Sequence, residues 1–356
     1  MDKVKLRTLL IQPETTLKES MQRLNETAEQ ILFVTNEDDK LLGTVTDGDI
    51  RRGLINGFKF RDKVEKVMFR QFVSFCNSEP DKKEKAQEKM INEEVEQIPI
   101  LNENKQIIDV ISWTDIFSQK KSVEQKQLFV NKVVIMAGGK GTRLDPFTKI
   151  LPKPLIPIKE KPIIEIIMEK LYKCGFHNFV YTLNYKKEYI KLFLRENNFP
   201  YSIDWVEEND YRGTAGSLSL LKDKVDDCFF VLNCDTILNV DYADMLKWHK
   251  EHNNFMTLVG CHKEFKLPYG ILELDRGILK ELVEKPNYDV IINTGSYILE
   301  PEILQMIPDN KCMDMDSLIE TASKNGRVSV YPIHDGWIDI GQWEEYRESV
   351  KELVDD

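Results

Sequence analysis

Residues 136–158 read MAGGKGTRLDPFTKILPKPLIPI, and their types and spacing suit the holding of a polyanion. Three glycines in four positions, Gly138, Gly139 and Gly141, let backbone N–H groups crowd an anion that a Cβ would keep away. Ala137 and Thr142 complete the loop, and Arg143 and Lys153 follow with charges suited to phosphate. Six Lys/Arg run from Lys140 to Lys161 against only Asp145 and Glu160, a basic island in a chain of formal net charge -11. The loop is neither of the common phosphate loops: it lacks G-x-x-x-x-G-K-[ST], and Leu144 stands where G-x-G-x-x-G needs its third glycine. Two carboxylates follow apolar stretches elsewhere. Asp235 comes after Phe229-Phe230-Val231-Leu232-Asn233-Cys234, and Asp339 lies in Gly336-Trp337-Ile338-Asp339-Ile340-Gly341. Mg²⁺ takes one or two carboxylates plus phosphate oxygens and water, so Asp235 and Asp339 together could hold one. A lone Asp at a strand end is more often a turn residue, and only the company of the glycine loop favours the metal.

The pattern GGxGTRL followed by PKPLIPI resembles the sugar-1-phosphate nucleotidyltransferases, and the resemblance covers about residues 132–356. It implies a reaction between a nucleoside triphosphate and a sugar 1-phosphate with release of pyrophosphate. It also implies Mg²⁺ on Asp235 and Asp339, Arg143 on the leaving oxygens and Lys153 on the α-phosphate. Glu207-Glu208 precede Gly213-Thr214-Ala215-Gly216, and in that family this stretch meets the base. A carboxylate only accepts hydrogen bonds, and guanine offers N1–H and N2–H₂ side by side, so Glu207 or Glu208 favours GTP. A solvated strand end is the competing reading of that pair. Tyr269-Gly270-Ile271, Glu284-Lys285-Pro286 and Asn293-Thr294-Gly295 match the family's sugar-phosphate pocket. The resemblance therefore assigns Gly270, Glu284, Lys285, Asn293 and Thr294 to the sugar and its phosphate. The arrangement also resembles the CBS-linked glucosamine-1-phosphate guanylyltransferases of bacterial legionaminic acid synthesis. That points to glucosamine or N-acetylglucosamine 1-phosphate, with mannose, heptose or glucose 1-phosphate and dTTP as alternatives. A nucleotide-sensing protein with an inactive transferase domain is a further alternative.

The first 120 residues contain a repeat. Gln30–Val34 matches Gln97–Leu101, and Gly43-Thr44-Val45-Thr46-Asp47-Gly48-Asp49-Ile50 matches Asp109-Val110-Ile111-Ser112-Trp113-Thr114-Asp115-Ile116. The offsets are 67 before the turn and 66 after it, as a one-residue deletion in a surface turn would produce. Helical patterns over Thr16–Thr27 and Lys82–Asn92 precede each strand pair. This half resembles a tandem CBS module, in which Thr46 with Asp49 and Ser112 with Asp115 would grip a nucleotide ribose. Helix capping explains the same residue types at the same places, and many CBS pairs only dimerise.

The expected architecture is α/β: a tandem CBS module over 1–122, a polar linker over 123–131, and a Rossmann-like mixed sheet over 132–356. Continuous apolar strands alternate there with helices, at 133–136, 163–174, 179–183, 187–197 and 229–233. His249 and His252 fall on a helix over Tyr242–His252 and read as part of a solvated face. The acidic balance argues against nucleic acid, no apolar run reaches membrane length, and no signal segment leads the chain. Six scattered cysteines without C-x-x-C suit a reducing cytoplasm. GTP, a sugar 1-phosphate, a regulatory nucleotide and a second copy held through the CBS module are the expected partners.

Overall fold

In the computed structural model, residues 3–27, 31–80, 82–93, 95, 97–112, 116, 128–334, 336–341, 343 and 345–347 are described. The chain divides into two units, Met1–Glu124 and Gln125–Asp356. The first holds two three-stranded sheets of the same design. In one, β1 (Leu10–Ile11) pairs parallel with β2 (Ile31–Thr35), which pairs antiparallel with β3 (Leu41–Thr46). In the other, β4 (Phe75–Cys76), β5 (Gln97–Leu101) and β6 (Ile107–Ser112) repeat the pattern. Helix Leu17–Thr27 starts where the sequence says it should. Thr16 and Glu19 form a capping box, with Thr16 N–H and Oγ1 both donating to Glu19 Oε2 at 2.8 Å. Leu17, Met21 and Leu24 then recur on one face and are buried.

The repeat is exact in register, which corrects the deletion inferred from sequence. Ile31 faces Thr46 as Gln97 faces Ser112, and Thr35 faces Leu41 as Leu101 faces Ile107. Both offsets are 66, so Gln97 corresponds to Ile31 and not to Gln30. A one-residue slip would turn every side chain of the strand to the other face. The apolar runs of the two strands are similar enough that letter matching alone hides the slip.

The second unit is built on a seven-stranded sheet. Its strands are β7 (Val133–Ala137), β10 (Asn178–Leu183), β11 (Ser202–Glu207), β12 (Phe229–Asn233), β14 (Met256–Lys266), β17 (Asn287–Leu299) and β18 (Val328–Ile333). Their order is β11-β10-β7-β12-β17-β14-β18. The first four run parallel, β17 runs against both neighbours, and β18 is parallel to β14. β7 shows why these strands read as unbroken apolar runs. Val133, Ile135 and Ala137 enter the core on one face while Val134 enters the core on the other. Small pairs complete the unit: β8 (Pro157–Ile158) with β9 (Lys161–Pro162), β13 (Thr236–Leu238) with β19 (Trp337–Asp339), and β15 (Ile271–Asp275) with β16 (Ile278–Val283). Helices Ile163–Lys173, Lys187–Glu196 and Tyr242–Glu251 lie where the periodicity put them. The described end of the expected linker belongs to this unit. Phe129 donates its N–H to Gly175 O at 3.0 Å and stacks on Phe176, and Asn131 Nδ2 donates to Cys228 O at 2.7 Å. Among the described residues no helix is long and apolar enough to cross a membrane.

Candidate functional site

The four parallel strands end at one edge, and each is followed at once by a polar or glycine residue. Gly138 follows β7, Asn184 follows β10, Glu208 follows β11, and Cys234-Asp235 follow β12. These residues line one cleft of about 580 Å³, together with Gly139, Lys140, Gly141, Thr142, Arg143, Lys153, Tyr211, Gly213, Thr214, Ser217 and Asn233. Parallel strands aim their carboxyl ends the same way, so residues distant in sequence converge there. Gly141 has φ +65°, and a Cβ on it would come within 3.0 Å of Lys153 Cβ. The glycine thus lets the loop sit directly against the Lys153 stem.

Lys153 is 7% exposed and its ammonium pairs with the Asp235 carboxylate. Asp339 reaches the same place from the far end of the chain. β19 pairs with β13 so that Asp339 faces Thr236, and Ile340 N–H donates to Asp235 O at 2.9 Å. Burial pushes the Asp339 carboxyl above the usual carboxylate range, and the Asp235 charge raises it further. Lys153, the Gly341 N–H and Arg143 oppose that rise, which places both cations within electrostatic reach of Asp339. Two half-buried carboxylates are oxygen-only donors and make a set that suits Mg²⁺; Asp235 lines the cleft, and Asp339 lies outside its lining.

The adjacent glutamates separate. Glu208 is 3% exposed, lines the cleft, and accepts the Arg212 N–H at 3.0 Å. A Cβ on Gly138 would meet Glu208 Oε1 at 2.8 Å, so the carboxylate lies on the glycine loop. Burial pushes its carboxyl up, against the pull of the Arg212 N–H and charge. Glu207 ends β11 outside the cleft lining, where Lys187 at 2.7 Å and Lys191 at 2.9 Å hold its carboxyl down to about 2. Strand alternation is the reason, since neighbours point to opposite faces. The structure therefore takes Glu207 out of the expected nucleotide site.

The expected sugar-phosphate residues fall in two places. Asn293 and Thr294 sit on β17 beside the end of β12. Thr294 Oγ1 donates to Val259 O at 2.9 Å, Thr236 Oγ1 donates to Thr294 O at 3.2 Å, and Asn293 Nδ2 donates to Tyr297 Oη at 2.9 Å. Gly295, at φ +75°, follows them, and a Cβ on it would overlap the side chain of Asn233 in the cleft. That contact sets Asn293 and Thr294 at the rim. The Thr294 hydroxyl is buried and committed to the backbone, so it supports the site without facing it. Gly270, Glu284 and Lys285 lie instead at the exposed base of the β15–β16 ribbon, outside the cleft lining. Gly270 faces Glu284, whose Oε2 a Cβ there would meet at 2.8 Å.

Several cleft residues escape the sequence reading: Asn184, Tyr211, Ser217 and Asn233. Asn184 had a signal, because it follows β10 as Asp235 follows β12. Its Nδ2 is buried with no hydrogen-bond partner, as a donor awaiting a ligand would be. His249 overturns the expectation of a solvated face. It is fully buried, with Nδ1 at 2.7 Å from Thr257 Oγ1 and Nε2 at 3.1 Å from Glu300 Oε1. Both ring nitrogens are satisfied, which makes it a core histidine although Cys228 lies nearby.

In the first unit, Thr46 and Asp49 make a reciprocal capping box at the start of helix Asp47–Ile55. Thr46 Oγ1 donates to Asp49 Oδ2 at 2.7 Å, Asp49 N–H donates to Thr46 Oγ1 at 3.2 Å, and Arg52 pairs with Asp49 Oδ1 at 2.6 Å. Ser112 ends β6 in the equivalent place. Asp115 lies outside the described residues.

Comparison with known proteins agrees with this geometry. The nucleotidyl transferase family profile matches residues 132–356, well over half of the chain. The chain belongs to the nucleotidyl transferase family. A CBS domain profile matches residues 7–56. The transferase unit is 33% identical over 224 residues to the mannose-1-phosphate guanylyltransferase catalytic subunit beta of Danio rerio, spanning 60% of this chain and 62% of that protein. It is also 33% identical over 225 residues to the mannose-1-phosphate guanyltransferase of Schizosaccharomyces pombe, with the same coverage. The chain thus spans less than two thirds of the length of these curated relatives. The crystal structure of HddC from Yersinia pseudotuberculosis superposes with a TM-score of 0.52 at 29% identity, over 63% of this chain and 99% of that one. HddC has also been solved in complex with GMP-PN.

Proposed function

We propose that the nucleotidyl transferase unit moves GMP from GTP to a sugar 1-phosphate, giving a GDP-sugar and pyrophosphate. The observation that carries this reading is the buried Glu208 carboxylate in the same cleft as the glycine loop, Lys153 and Asp235. A buried carboxylate with one backbone partner is costly unless donors meet it, and guanine brings two adjacent ones. The guanylyltransferase names of the relatives and the GMP-PN complex of HddC support the same base.

No protein nucleophile is needed. The sugar phosphate oxygen attacks the α-phosphorus in line, the bond to the β-phosphate oxygen breaks, and pyrophosphate leaves. Positioning and charge neutralisation supply the rate. The glycine-loop N–H groups hold the phosphates, Arg143 takes the leaving oxygens, and Lys153 swings from Asp235 to the α-phosphate. Asp235 and Asp339 would hold Mg²⁺, which when bound neutralises charge on the transferring phosphate. Asn293 at the rim orients the sugar, and Lys285, on the exposed ribbon outside the cleft lining, would have to approach the cleft to meet its phosphate. The relatives favour mannose 1-phosphate as the acceptor, while the CBS-linked arrangement read from the sequence favours glucosamine or N-acetylglucosamine 1-phosphate. Pyrophosphate release from GTP, dTTP, UTP and ATP, each with these three sugar phosphates, tests the reading. GTP-dependent release with one of them is expected, and release from no combination refutes it.

A nucleotide at the N-terminal unit would have to displace Arg52 from Asp49 and open the capping box. Calorimetry of AMP and ATP on the full chain, repeated with Asp49→Ala, decides between that role and capping alone. Loss of an AMP or ATP site in the variant is expected if Asp49 grips ribose.

A further inference from the structure

His262 is a buried histidine that the proposed transfer does not use. It is 3% exposed on β14, and residues of β14, β17 and the end of β18 meet around it. Glu264 lies two residues on and so shares its face, while Cys261 turns to the core on the other. Across the ladder Glu264 faces Asp289 of β17, which makes Asp289 the diagonal neighbour of His262. His262 Nε2 lies 3.1 Å from Asp289 Oδ1. One ligand atom from each of His262, Glu264 and Asp289 falls within 4.8 Å of the others. Ile333, the last residue of β18, faces Cys261, so His334 follows level with His262. The Nδ1 atoms of these two histidines are 3.3 Å apart.

We propose that His262, Glu264 and Asp289 bind a zinc ion, apart from the carboxylates of the transferase cleft. Charge is the first reason. Two carboxylates directly opposite each other repel, and one imidazole can set at most a single positive charge between them, whereas a divalent ion neutralises both. The second is the proton on the ring. Only one proton fits between two Nδ1 atoms. When His262 keeps it and donates to His334, the His262 Nε2 lone pair is left facing the carboxylates. A metal-binding imidazole has this arrangement, its second nitrogen donating to a neighbour that holds the ring. The third is the donor set. An imidazole nitrogen beside carboxylate oxygens suits zinc, where Mg²⁺ and Ca²⁺ prefer oxygen alone. Tetrahedral ligands at zinc distances stand about 3.3 Å apart, close to the 3.1 Å between His262 and Asp289. Three protein ligands leave a fourth position for water, and the Asp289 side chain, 43% exposed, opens the site to it. The group around His249 offers no such case, since a hydroxyl holds one ring nitrogen and a single carboxylate the other. The ion would sit where β14 loses β18 and runs on to Lys266 with β17 alone. It would tie those two strands at the root of the arm that carries the β15–β16 ribbon, where a two-stranded pair is marginal by itself.

Zinc binding by the full-length protein carrying Asp235→Asn and Asp339→Asn tests this with the cleft carboxylates out of the count. Equilibrium dialysis against Zn²⁺, with elemental analysis of the protein, should give about one zinc per chain. Adding Glu264→Gln and Asp289→Asn should weaken binding at least about 100-fold, because two of the three ligands lose their charge. Circular dichroism confirms that this variant stays folded. X-ray absorption at the zinc edge, on protein with Glu264 and Asp289 intact, should show one imidazole among oxygens and no sulfur. Zinc held equally after the Glu264 and Asp289 changes, a shell that contains sulfur, or no zinc bound at micromolar concentration overturns the proposal.

Discussion

Glu208→Gln is the change most informative about the base. In the wild type the carboxylate presents two acceptor oxygens, one already holding the Arg212 N–H at 3.0 Å. Guanine N1–H and N2–H₂ would both donate to it. The amide keeps one acceptor but turns an NH₂ toward a donor. Hydrogen bonds to a charged group contribute about 1.5–3 kcal/mol, and losing one while crowding two donors should cost about 2–3 kcal/mol. That is a fall of about 30- to 150-fold in kcat/KM for GTP. Uracil and thymine set an N–H beside a carbonyl, which an amide can match, so UTP and dTTP should lose little or gain. The assay is pyrophosphate release with each triphosphate at saturating sugar 1-phosphate. The fold should survive, because the substitution removes a buried charge whose ionisation burial already disfavours. A GTP-to-UTP ratio within twofold of the wild type, at undiminished turnover, would refute the assignment of Glu208.

Other outcomes follow from the same geometry. Glu207→Gln should leave base preference unchanged, since Lys187 and Lys191 engage that carboxylate away from the cleft; a shifted GTP-to-UTP ratio would contradict its placement. Asp235→Asn should lower turnover about 10²- to 10³-fold in a folded protein, measured by steady-state kinetics beside a melting curve. Asp339 has its carboxyl raised in the fold, so its contribution to stability is present below its unfolded pKa and is lost as pH rises through the folded one. In EDTA, therefore, thermal unfolding should show Asp339→Asn gaining on the wild type as pH rises from the acid side, while its turnover falls; parallel curves would remove the burial argument. Gly295→Ala must place a Cβ at φ +75° and against Asn233, and should lose at least about 1–2 kcal/mol in chemical denaturation along with activity.

The sequence displayed the strands of the second unit because they are buried on both faces, so their apolar runs are continuous. The loop was legible because close approach to an anion demands glycine, and glycines in that density are uncommon. Asp235 and Asp339 were legible as carboxylates following core strands. Their meeting through the pairing of Thr236 with Asp339 is a tertiary event that no local pattern records. Glu207 and Glu208 could not be separated by type, because the choice depends on which face of β11 meets the cleft. Asn184 and Asn233 went unseen for want of charge, although the position of Asn184 after a parallel strand announced it. His249 looked solvated beside Lys247 and Lys250, yet the helix turns it inward to Thr257. The 66-residue repeat was visible, but its register was set by pairing and not by letter identity.

The proposed transfer requires one nucleotide that spans the cleft from Glu208 to the Asp235–Asp339 pair. Crystals grown with GTP and Mn²⁺, measured at the manganese edge, test it directly. The expected map has an anomalous peak bridged by Asp235 and Asp339, with guanine N1 and N2 on Glu208 and the phosphates over Gly138–Gly141. Guanine bound away from Glu208, or manganese touching neither aspartate, would contradict it.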